Sequence, residues 1–324
     1  MAELIAVDVE RWPVAGSFVI SRGAKTYVDV VTCIVGDGPH RGRGEGTPIY
    51  YKGEDAERCA AAIRAFAAHG DFDRASVNAQ MKAGAARNAL DCALWELEAQ
   101  VAGRPVWELA GLAQPSPMAT AFTISLGEPD VMEAAARKAA AAGYGLLKCK
   151  LTGEGDLDRV GAVRRGAPGV RLIVDANESW GDLDIVAEAA AMVALGVELV
   201  EQPVPRGQDE RLRGLDAPIP FCADESCQTA DDLERLTMYQ AINIKLDKAG
   251  GLTEALKLAE GARARGQAIM VGCMLGTSLG IAPAFLAAQG AHWVDLDGAL
   301  LLAEDREGAL VAQAGLLQPG RLWG

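Results

Sequence analysis

The chain has 324 residues, half of them hydrophobic, which is enough for about two domains of typical size. Its 44 acidic and 31 basic side chains give a net charge of −13, a field that repels phosphate backbones and anionic membrane surfaces, so we expect neither a nucleic-acid nor a membrane partner. The seven cysteines form no CxxC pair and the first twelve residues contain no basic, apolar leader, so we predict reduced thiols and a cytoplasmic protein.

The first hundred residues have the pattern of a small α+β domain. Residues 4–9 and 27–35 are predicted strands, joined by a loop around 21–25 and followed by a Gly-rich turn at 42–46. Two helical stretches come next. The second, 84–103, has apolar residues spaced by three and four and ends at Gly103.

From about residue 119 onward, short apolar runs alternate with helical patterns. Strands that are apolar throughout, each followed by a helix, are typical of a parallel sheet covered on its outer face, and eight of them predict a closed barrel. The tail from residue 298 is too short for another such unit, and we expect it to fold back onto the N-terminal domain. The eight runs are 119–125, 145–151, 170–176, 197–202, 219–224, 241–246, 268–274 and 292–297.

The uncharged stretch 268–291 is long enough to span a bilayer. Gly272, Gly276, Gly280 and Pro283 interrupt it, however, and such residues break a long helix. We therefore predict a buried strand, a loop and an apolar helix in this stretch.

Three consecutive predicted strands end in a carboxylate: Asp175, Glu201 and Asp224. A single acidic residue at a strand end is more often a helix cap, but three in succession converge at one mouth of a barrel and repel one another. A divalent cation relieves that repulsion. Because the ligands are all oxygen and leave positions open, Mg²⁺ fits better than Ca²⁺.

Lysines flank this predicted cation site. Lys148 and Lys150 point to one side of their predicted strand and Cys149 to the other. The alternative to a place inside the barrel is that the pair lies on a solvated edge strand. We expect two neighbouring ammonium groups to lower each other's pKa toward that of a usable base. Lys245 ends the sixth run, diametrically opposite the second, so that one lysine stands on each side of the cation.

This arrangement predicts chemistry at a carbon next to a carboxylate. A bound metal stabilises the enediolate that forms when the α-proton leaves, and one lysine would remove that proton. The second lysine would return a proton to the opposite face and invert the centre. With a substrate that has a leaving group, it would assist elimination instead.

The chain resembles the enolase superfamily, in particular its muconate-lactonizing-enzyme subgroup and the dipeptide epimerases within it. This superfamily is the general example of a lysine base working with Mg²⁺ on an ene-diolate. The resemblance covers nearly the whole chain. It rests on FVISRG at 18–23, GE at 44–45, ALDCALWE at 89–96, KCK at 148–150, VDAN at 174–177, VEQP at 200–203, ADES at 223–226, NIKLDKAGG at 243–251 and DLD at 295–297.

The resemblance implies an α/β fold: a (β/α) barrel of the modified TIM type with an N-terminal α+β capping domain. The capping domain would be 1–115 and the catalytic barrel 116–298, with 299–324 packed back on the capping domain. The implied activity is epimerisation of a dipeptide at the α-carbon of its C-terminal residue, by 1,1-proton transfer through an enediolate.

The resemblance also implies the role of each site residue. Asp175, Glu201 and Asp224 would hold one Mg²⁺ per subunit, and Lys150 and Lys245 would be the acid/base catalysts. Arg22, on a loop that reads the substrate, would face the side-chain carboxylate of a C-terminal Glu. The remaining implied residues are Lys148, Ser278, Asp295 and Asp297 at the substrate, and Asn177, Glu225 and Lys248 behind the site.

Asp295 and Asp297 distinguish between related activities. Unless they only cap a turn, they present two carboxylates to the ammonium group of a dipeptide. The substrates of N-acylamino-acid racemases, o-succinylbenzoate synthases and muconate cycloisomerases have no such cation. Two other classes remain as alternatives: a Schiff-base aldolase, which would not need three metal carboxylates, and a non-enzymatic binding protein, which would be free to lose them. Barrels of this group often assemble, so a homo-oligomer is a further expectation.

Overall fold

The computed structural model describes residues 2–20 and 23–324. It begins with a three-stranded antiparallel sheet of β1 (Glu3–Ile20), β2 (Gly23–Asp37) and β3 (His40–Gly46), in that order. The two predicted strands lie inside β1 and β2, which are longer than expected. Gly23 already pairs with Ile20, so the predicted loop at 21–25 is shorter than expected at its C-terminal end, and Ser21 and Arg22 lie outside the described residues.

The Gly-rich turn predicted at 42–46 is wrong, because these residues form strand β3. Its glycines face α3 (Ala85–Ala102), which packs directly on the strand. A Cβ added to Gly42 would lie 2.0 Å from Ala93 O, and one added to Gly44 would lie 1.9 Å from Ala89 O. Glycine is used at these alternate positions because the helix backbone occupies the space of a side chain.

Three helices, rather than the two expected, complete this region: α1 (Ala56–Ala67), α2 (Arg74–Gln80) and α3. A short 3₁₀ turn, Tyr50–Lys52, precedes them. α3 ends as predicted at Gly103, whose φ of 63° is in the left-handed region that glycine adopts readily. The short helix α4 (Val106–Leu109) leads toward the barrel.

The second part is a parallel barrel, and each of the eight predicted runs contains one of its strands. The strands pair in chain order, and Ala121 N donates to Val294 O at 2.7 Å across the gap between first and last. Strand β4 (Met118–Ala119) lies outside it, in a small sheet with β13 (Ala312–Gln313) and β14 (Leu316–Leu317). The barrel strands are β5 (Phe122–Ile124), β6 (Leu146–Lys150), β7 (Arg171–Asp175), β8 (Val197–Glu201), β9 (Phe221–Ala223), β10 (Ala241–Ile244), β11 (Ala268–Gly272) and β12 (Trp293–Asp295).

Helices cover most of the barrel. After β8 and β9 the expected helices are replaced by 3₁₀ turns, Asp209–Leu212 and Ala230–Asp232. The uncharged stretch is strand β11, a loop and helix α10, as predicted, and no helix in the described ranges is long and apolar enough to cross a membrane. The helices are α5 (Pro129–Ala141), α6 (Asp156–Gly166), α7 (Ile185–Ala194), α8 (Leu246–Ala249), α9 (Leu252–Ala264) and α10 (Ser278–Ala287).

The barrel interior is apolar at one level and polar at the next. Leu146, Ile173 and Leu199 belong to a buried cluster inside it, and alternation along β6 then turns Lys148 and Lys150 inward while Cys149 joins the outer core. The apolar level closes the floor beneath the charged residues.

The chain after β12 returns to the first sheet. Ala15 N donates to Leu301 O at 2.9 Å, and Trp323 Nε1 donates to Arg43 O at 3.0 Å.

Candidate active site

Three carboxylates meet at the C-terminal end of the barrel. Asp175 and Glu201 end β7 and β8, and Asp224 directly follows β9. Each is at most 2% exposed, and their oxygens lie within 4.8 Å of one another. The structure therefore brings together the three residues that the sequence singled out, in a group able to hold a metal ion.

The ammonium group of Lys148 lies among these carboxylates. Its Nζ is 2.5 Å from Glu201 Oε2, 2.8 Å from Asp295 Oδ2 and 3.3 Å from Asp175 Oδ2. Burial alone would lower the pKa of Lys148, but the surrounding carboxylates outweigh burial and raise this pKa well above its usual value. The expected lowering of the pKa is wrong for Lys148. The prediction considered only the neighbouring ammonium group on the same strand and not the carboxylates that face Lys148 in the barrel.

Lys150 and Lys245 each contact a different carboxylate of the trio. Lys150 Nζ is 2.6 Å from Asp175 Oδ2, and Lys245 Nζ is 2.6 Å from Asp224 Oδ2. Lys150 ends β6 and Lys245 directly follows β10, and these strands are four apart in the eight-stranded order, so the two amines enter the site from opposite sides. Burial alone would lower the pKa of Lys245, but Asp224 and Glu201 raise it well above normal.

Burial and mutual repulsion affect the carboxylates unequally. Burial and the charge of Asp175 raise the pKa of Glu201 to about 8. Burial acts in the same direction on Asp175, but Lys150 and Lys148 outweigh it and hold the pKa of Asp175 at about 2. For Asp224, Lys245 and Lys248 likewise outweigh burial and keep its pKa well below the usual range.

Asp295 and Asp297 lie together at the wall of a cavity that Lys150, Asp224 and Lys245 also line. Lys148 binds Asp295 Oδ2, whereas Oδ1 of this residue is buried without a hydrogen-bond partner in the described part of the chain. Asp297 Oδ2 accepts a hydrogen bond from Thr123 N at 2.7 Å. Burial, with the charge of Asp295, raises the pKa of Asp297 to about 7.

The cavity, about 650 Å³ including its open mouth, is roofed by the N-terminal region. Phe18, Lys25, Tyr50 and Tyr51 reach it from there. Lys25 Nζ lies 4.4 Å from the centre of the Tyr50 ring, and burial lowers the pKa of Lys25. Lys25 is not among the residues predicted from sequence, although it stands just after the FVISRG motif that contains Arg22. Arg22 itself lies outside the described residues.

Three further predicted residues support the site. Asn177 and Glu225 line the cavity, and Asn177 N donates to Asp175 Oδ1 at 2.9 Å. Lys248 Nζ is 2.6 Å from Asp224 Oδ1 and also donates to the carbonyl oxygens of Cys227 and Asn243.

Ser278 is not part of the cavity wall. Its hydroxyl donates to Asp305 Oδ2 at 2.6 Å and accepts from Leu310 N at 2.8 Å. Both contacts bind α10 to the C-terminal segment. The structure therefore does not bring the hydroxyl of Ser278 together with the other predicted site residues, and its contact with substrate stays a prediction.

Two amide side chains that the sequence analysis missed hold the carboxylates in place. Gln202 Oε1 accepts from Asp224 N at 2.9 Å, and Asn243 Nδ2 donates to Glu201 Oε1 at 2.7 Å. Gln202 has a φ of 37°, a strained value for a residue with a side chain, which surrounding hydrogen bonds must maintain. Its place directly after Glu201 in the VEQP motif was the available signal.

The chain belongs to the mandelate racemase and muconate lactonizing enzyme family. Residues 4–111 match its N-terminal domain, and residues 130–319 match the family described as enolase C-terminal domain-like. It is 41% identical to the L-Ala-D/L-Glu epimerase of Escherichia coli K12 over 97% of this chain and 98% of that protein. It is 40% identical to an N-acetyl-D-glutamate racemase of a Pseudoalteromonas species, over 91% of this chain and 95% of the relative. Epimerases and racemases are isomerases, and this chain is an enzyme of that class.

Solved structures give the same relationship. An enolase family member from Agrobacterium tumefaciens with homology to dipeptide epimerases, which contains sodium and L-Ala-L-Glu, is 48% identical with a TM-score of 0.95 and full coverage of both chains. A dipeptide epimerase from Enterococcus faecalis, complexed with Mg and L-Leu-L-Tyr, is 29% identical with a TM-score of 0.92, over 100% of this chain and 98% of that one.

Proposed function

We propose that this protein is a Mg²⁺-dependent dipeptide epimerase that inverts the α-carbon of the C-terminal residue in L-Ala-D/L-Glu or a similar acidic dipeptide. The observation that carries the proposal is the placement of two lysine amines, those of Lys150 and Lys245, on opposite sides of a buried carboxylate trio. Two bases facing each other across one centre suit the removal of a proton from one face and its return to the other.

The donor set fits Mg²⁺. The proposed ligands Asp175, Glu201 and Asp224 are all carboxylates, buried and within 4.8 Å of one another, and carboxylate oxygen is what this hard cation prefers. When bound, Mg²⁺ stabilises the negative charge that develops on a substrate carboxylate as the neighbouring proton leaves. Gln202 and Asn243 would keep the ligands oriented.

The lysines would perform the proton transfers. With one epimer, Lys150 would take the α-proton and Lys245 would return a proton to the opposite face of the carbon. With the other epimer the two lysines would exchange these roles. The apolar level of the barrel excludes water from below, and the aromatic side chains of the N-terminal region cover the cavity from above. Lys148 would stabilise the substrate carboxylate and hold Asp295 in place.

Charges at the edge of the cavity would select the substrate. Asp295, with its free Oδ1, and Asp297 would bind the ammonium group of a dipeptide. Lys25 reaches the cavity from the N-terminal region and would face an acidic side chain, the part assigned from sequence to Arg22. The named substrates of both curated relatives contain glutamate, which fits a cation at this position.

Racemisation of N-acetyl-glutamate is the second candidate, because a relative 40% identical carries that activity in its name. Such a substrate has no ammonium group, and Asp295 and Asp297 would then face an amide. Elimination reactions of the o-succinylbenzoate synthase or muconate cycloisomerase kind would use the same lysines and metal, but nothing in this cavity favours them.

The experiment compares L-Ala-L-Glu with N-acetyl-L-Glu on the wild type and on Asp297→Asn. With Mg²⁺ in D₂O, NMR follows α-deuteration and polarimetry follows inversion. The dipeptide should have the higher kcat/KM, and Asp297→Asn should lower it for the dipeptide while changing the acetylated compound least. A wild type that prefers N-acetyl-Glu would replace the proposal with the second candidate.

We extend the proposal to the domains and the setting of the protein. The division into 1–115, 116–298 and 299–324 is supported by the contacts of Leu301 and Trp323 with the first sheet. All seven cysteines are free thiols, as is usual in the cytoplasm. The net charge of −13 opposes binding to nucleic acids or anionic membranes. A homo-oligomer remains an expectation. Multi-angle light scattering tests it by measuring the molar mass of the protein in solution.

A further inference from the structure

The chain segments that follow the two proposed catalytic lysines are anchored in different ways. Two residues after Lys245, Asp247 is buried, and its Oδ1 accepts hydrogen bonds from Thr47 N and from Asn88 Nδ2, both at 2.8 Å. Both donors belong to the N-terminal region, whereas Lys245 and Asp247 belong to the barrel. One carboxylate oxygen of α8, which directly follows Lys245, thus binds two separate segments of the other region.

Further contacts from α3 reinforce this anchor. Arg87 donates to the carbonyl oxygens of Ala249 and Gly250, and Asp91 accepts from Thr253 N at 3.0 Å and from Thr253 Oγ1 at 2.7 Å. These contacts follow one another along the chain after Lys245. The helix therefore holds the segment through which β10 continues into α8 and α9.

The loop after Lys150 is anchored within the barrel. Asp156, at the start of α6, accepts from Thr152 N at 3.0 Å and from Gly153 N at 2.7 Å. A buried carboxylate thus anchors the segment after each lysine: Asp156 binds backbone within the barrel, and Asp247 binds donors of the N-terminal region.

We propose that Asp247 is a positioning residue, through which Thr47 and Asn88 of the N-terminal region set the position of Lys245 but not that of Lys150. Asp247 does not line the cavity and would act only through the backbone of α8, which begins directly after Lys245. Proton transfer depends steeply on the distance between amine and α-carbon, so a small displacement would slow one half-reaction selectively. This inference rests on the proposed function, because it assumes that each lysine serves one epimer.

The test measures α-hydrogen exchange in D₂O from L-Ala-L-Glu and L-Ala-D-Glu separately, with saturating Mg²⁺. Lys150→Ala and Lys245→Ala first establish which epimer each lysine serves. Asp247→Ala should then lower kcat for exchange of the Lys245 epimer by about 10- to 100-fold, with little change in KM or in the other epimer. The matched variant Asp156→Ala should show the opposite bias.

Two milder variants keep the test valid if Asp247→Ala folds poorly. Asp247→Asn retains an oxygen acceptor for both donors and should restore most of the exchange. Asn88→Ala removes one of the two donors and should give a smaller loss with the same bias. Equal losses for both epimers in Asn88→Ala and Asp247→Ala, or an Asp247→Asn protein as impaired as Asp247→Ala, would overturn the positioning role while leaving the proposed function intact. A wild type that exchanges neither epimer would remove the proposed function and this inference with it.

Discussion

Lys148 Nζ lies 2.8 Å from Asp295 Oδ2, so a single buried ammonium group joins the carboxylate trio to the acidic pair at the cavity wall. Lys148 donates to both groups from the middle of the barrel. The proposed metal site and the proposed ammonium site therefore share one cation, and their electrostatics are linked.

A first prediction concerns this shared cation. Lys148→Met should destabilise the protein by roughly 3–5 kcal/mol, the usual cost of leaving buried charges without their partner. Mg²⁺ should recover part of this loss, because a divalent cation can neutralise the same carboxylates and stabilises only the folded state. Thermal unfolding with Mg²⁺ and with EDTA measures the effect, and the gain in Tm should be larger in the variant. An identical gain in both proteins would contradict the prediction.

The proposed metal ligands give a second prediction. Asp224→Asn should abolish turnover and weaken Mg²⁺ binding, because it removes the charge of one of the three proposed ligands and the charged partner of Lys245. Isothermal titration with Mg²⁺ and activity after EDTA treatment check it. The control is Asp216→Asn, a change at an exposed residue, which should bind Mg²⁺ like the wild type. Full activity of Asp224→Asn in EDTA would end the metal hypothesis.

A third prediction separates Lys25 from Arg22. If Lys25 faces the acidic side chain of the substrate, Lys25→Met should narrow the preference for Ala-Glu over Ala-Leu by about 10- to 100-fold, the value of one charge-assisted hydrogen bond. Arg22→Met should change it less. Steady-state kcat/KM for the two dipeptides measures this preference in each variant. A larger loss of preference in Arg22→Met than in Lys25→Met would instead support Arg22 as the residue that faces the acidic side chain.

The fourth prediction follows from the pKa of Asp247. Burial, assisted by Glu45 and Glu54, raises this pKa from 3.8 to about 7 against the hydrogen bonds of Thr47 and Asn88. The folded state therefore binds a proton more tightly than the unfolded state, so this group's contribution to stability is present below about pH 4 and is lost as the pH rises to about 7.

Asp247→Asn removes this pH dependence. Its free energy of unfolding relative to the wild type should therefore increase between pH 4 and pH 8, by at most about 4 kcal/mol. Urea denaturation of both proteins across this range measures the difference. A constant difference would contradict the prediction.

Much of the barrel and of its charged mouth could be predicted because both depend on local signals. Each apolar run marks a strand, and a charge at its end marks the position where parallel strands converge, as Asp175 and Glu201 show. The partners across the two regions could not be predicted. The contacts of Asp247 with Thr47 and Asn88 join residues about 160 to 200 positions apart, and no spacing rule connects them.

Other errors arose where one pattern permits two structures. Alternating glycines such as Gly42 and Gly44 suit a turn as well as a strand under a close helix, and only the position of α3 decides. The pKa of Lys148 depends on how many carboxylates surround it, which a count along one strand does not reveal. The role of Ser278 stays a prediction: it lies close in sequence to Leu275 of the cavity wall, but the first turn of α10 directs its hydroxyl to Asp305.

The three glycines of β3 that face α3 restrict the substitutions that the enzyme tolerates. One methyl group at Gly42, Gly44 or Gly46 would collide with the backbone of α3, the helix that carries Asn88. None of these glycines lines the cavity. A mutational scan for activity should therefore find some of its most intolerant positions among residues that have no side chain and never meet the substrate.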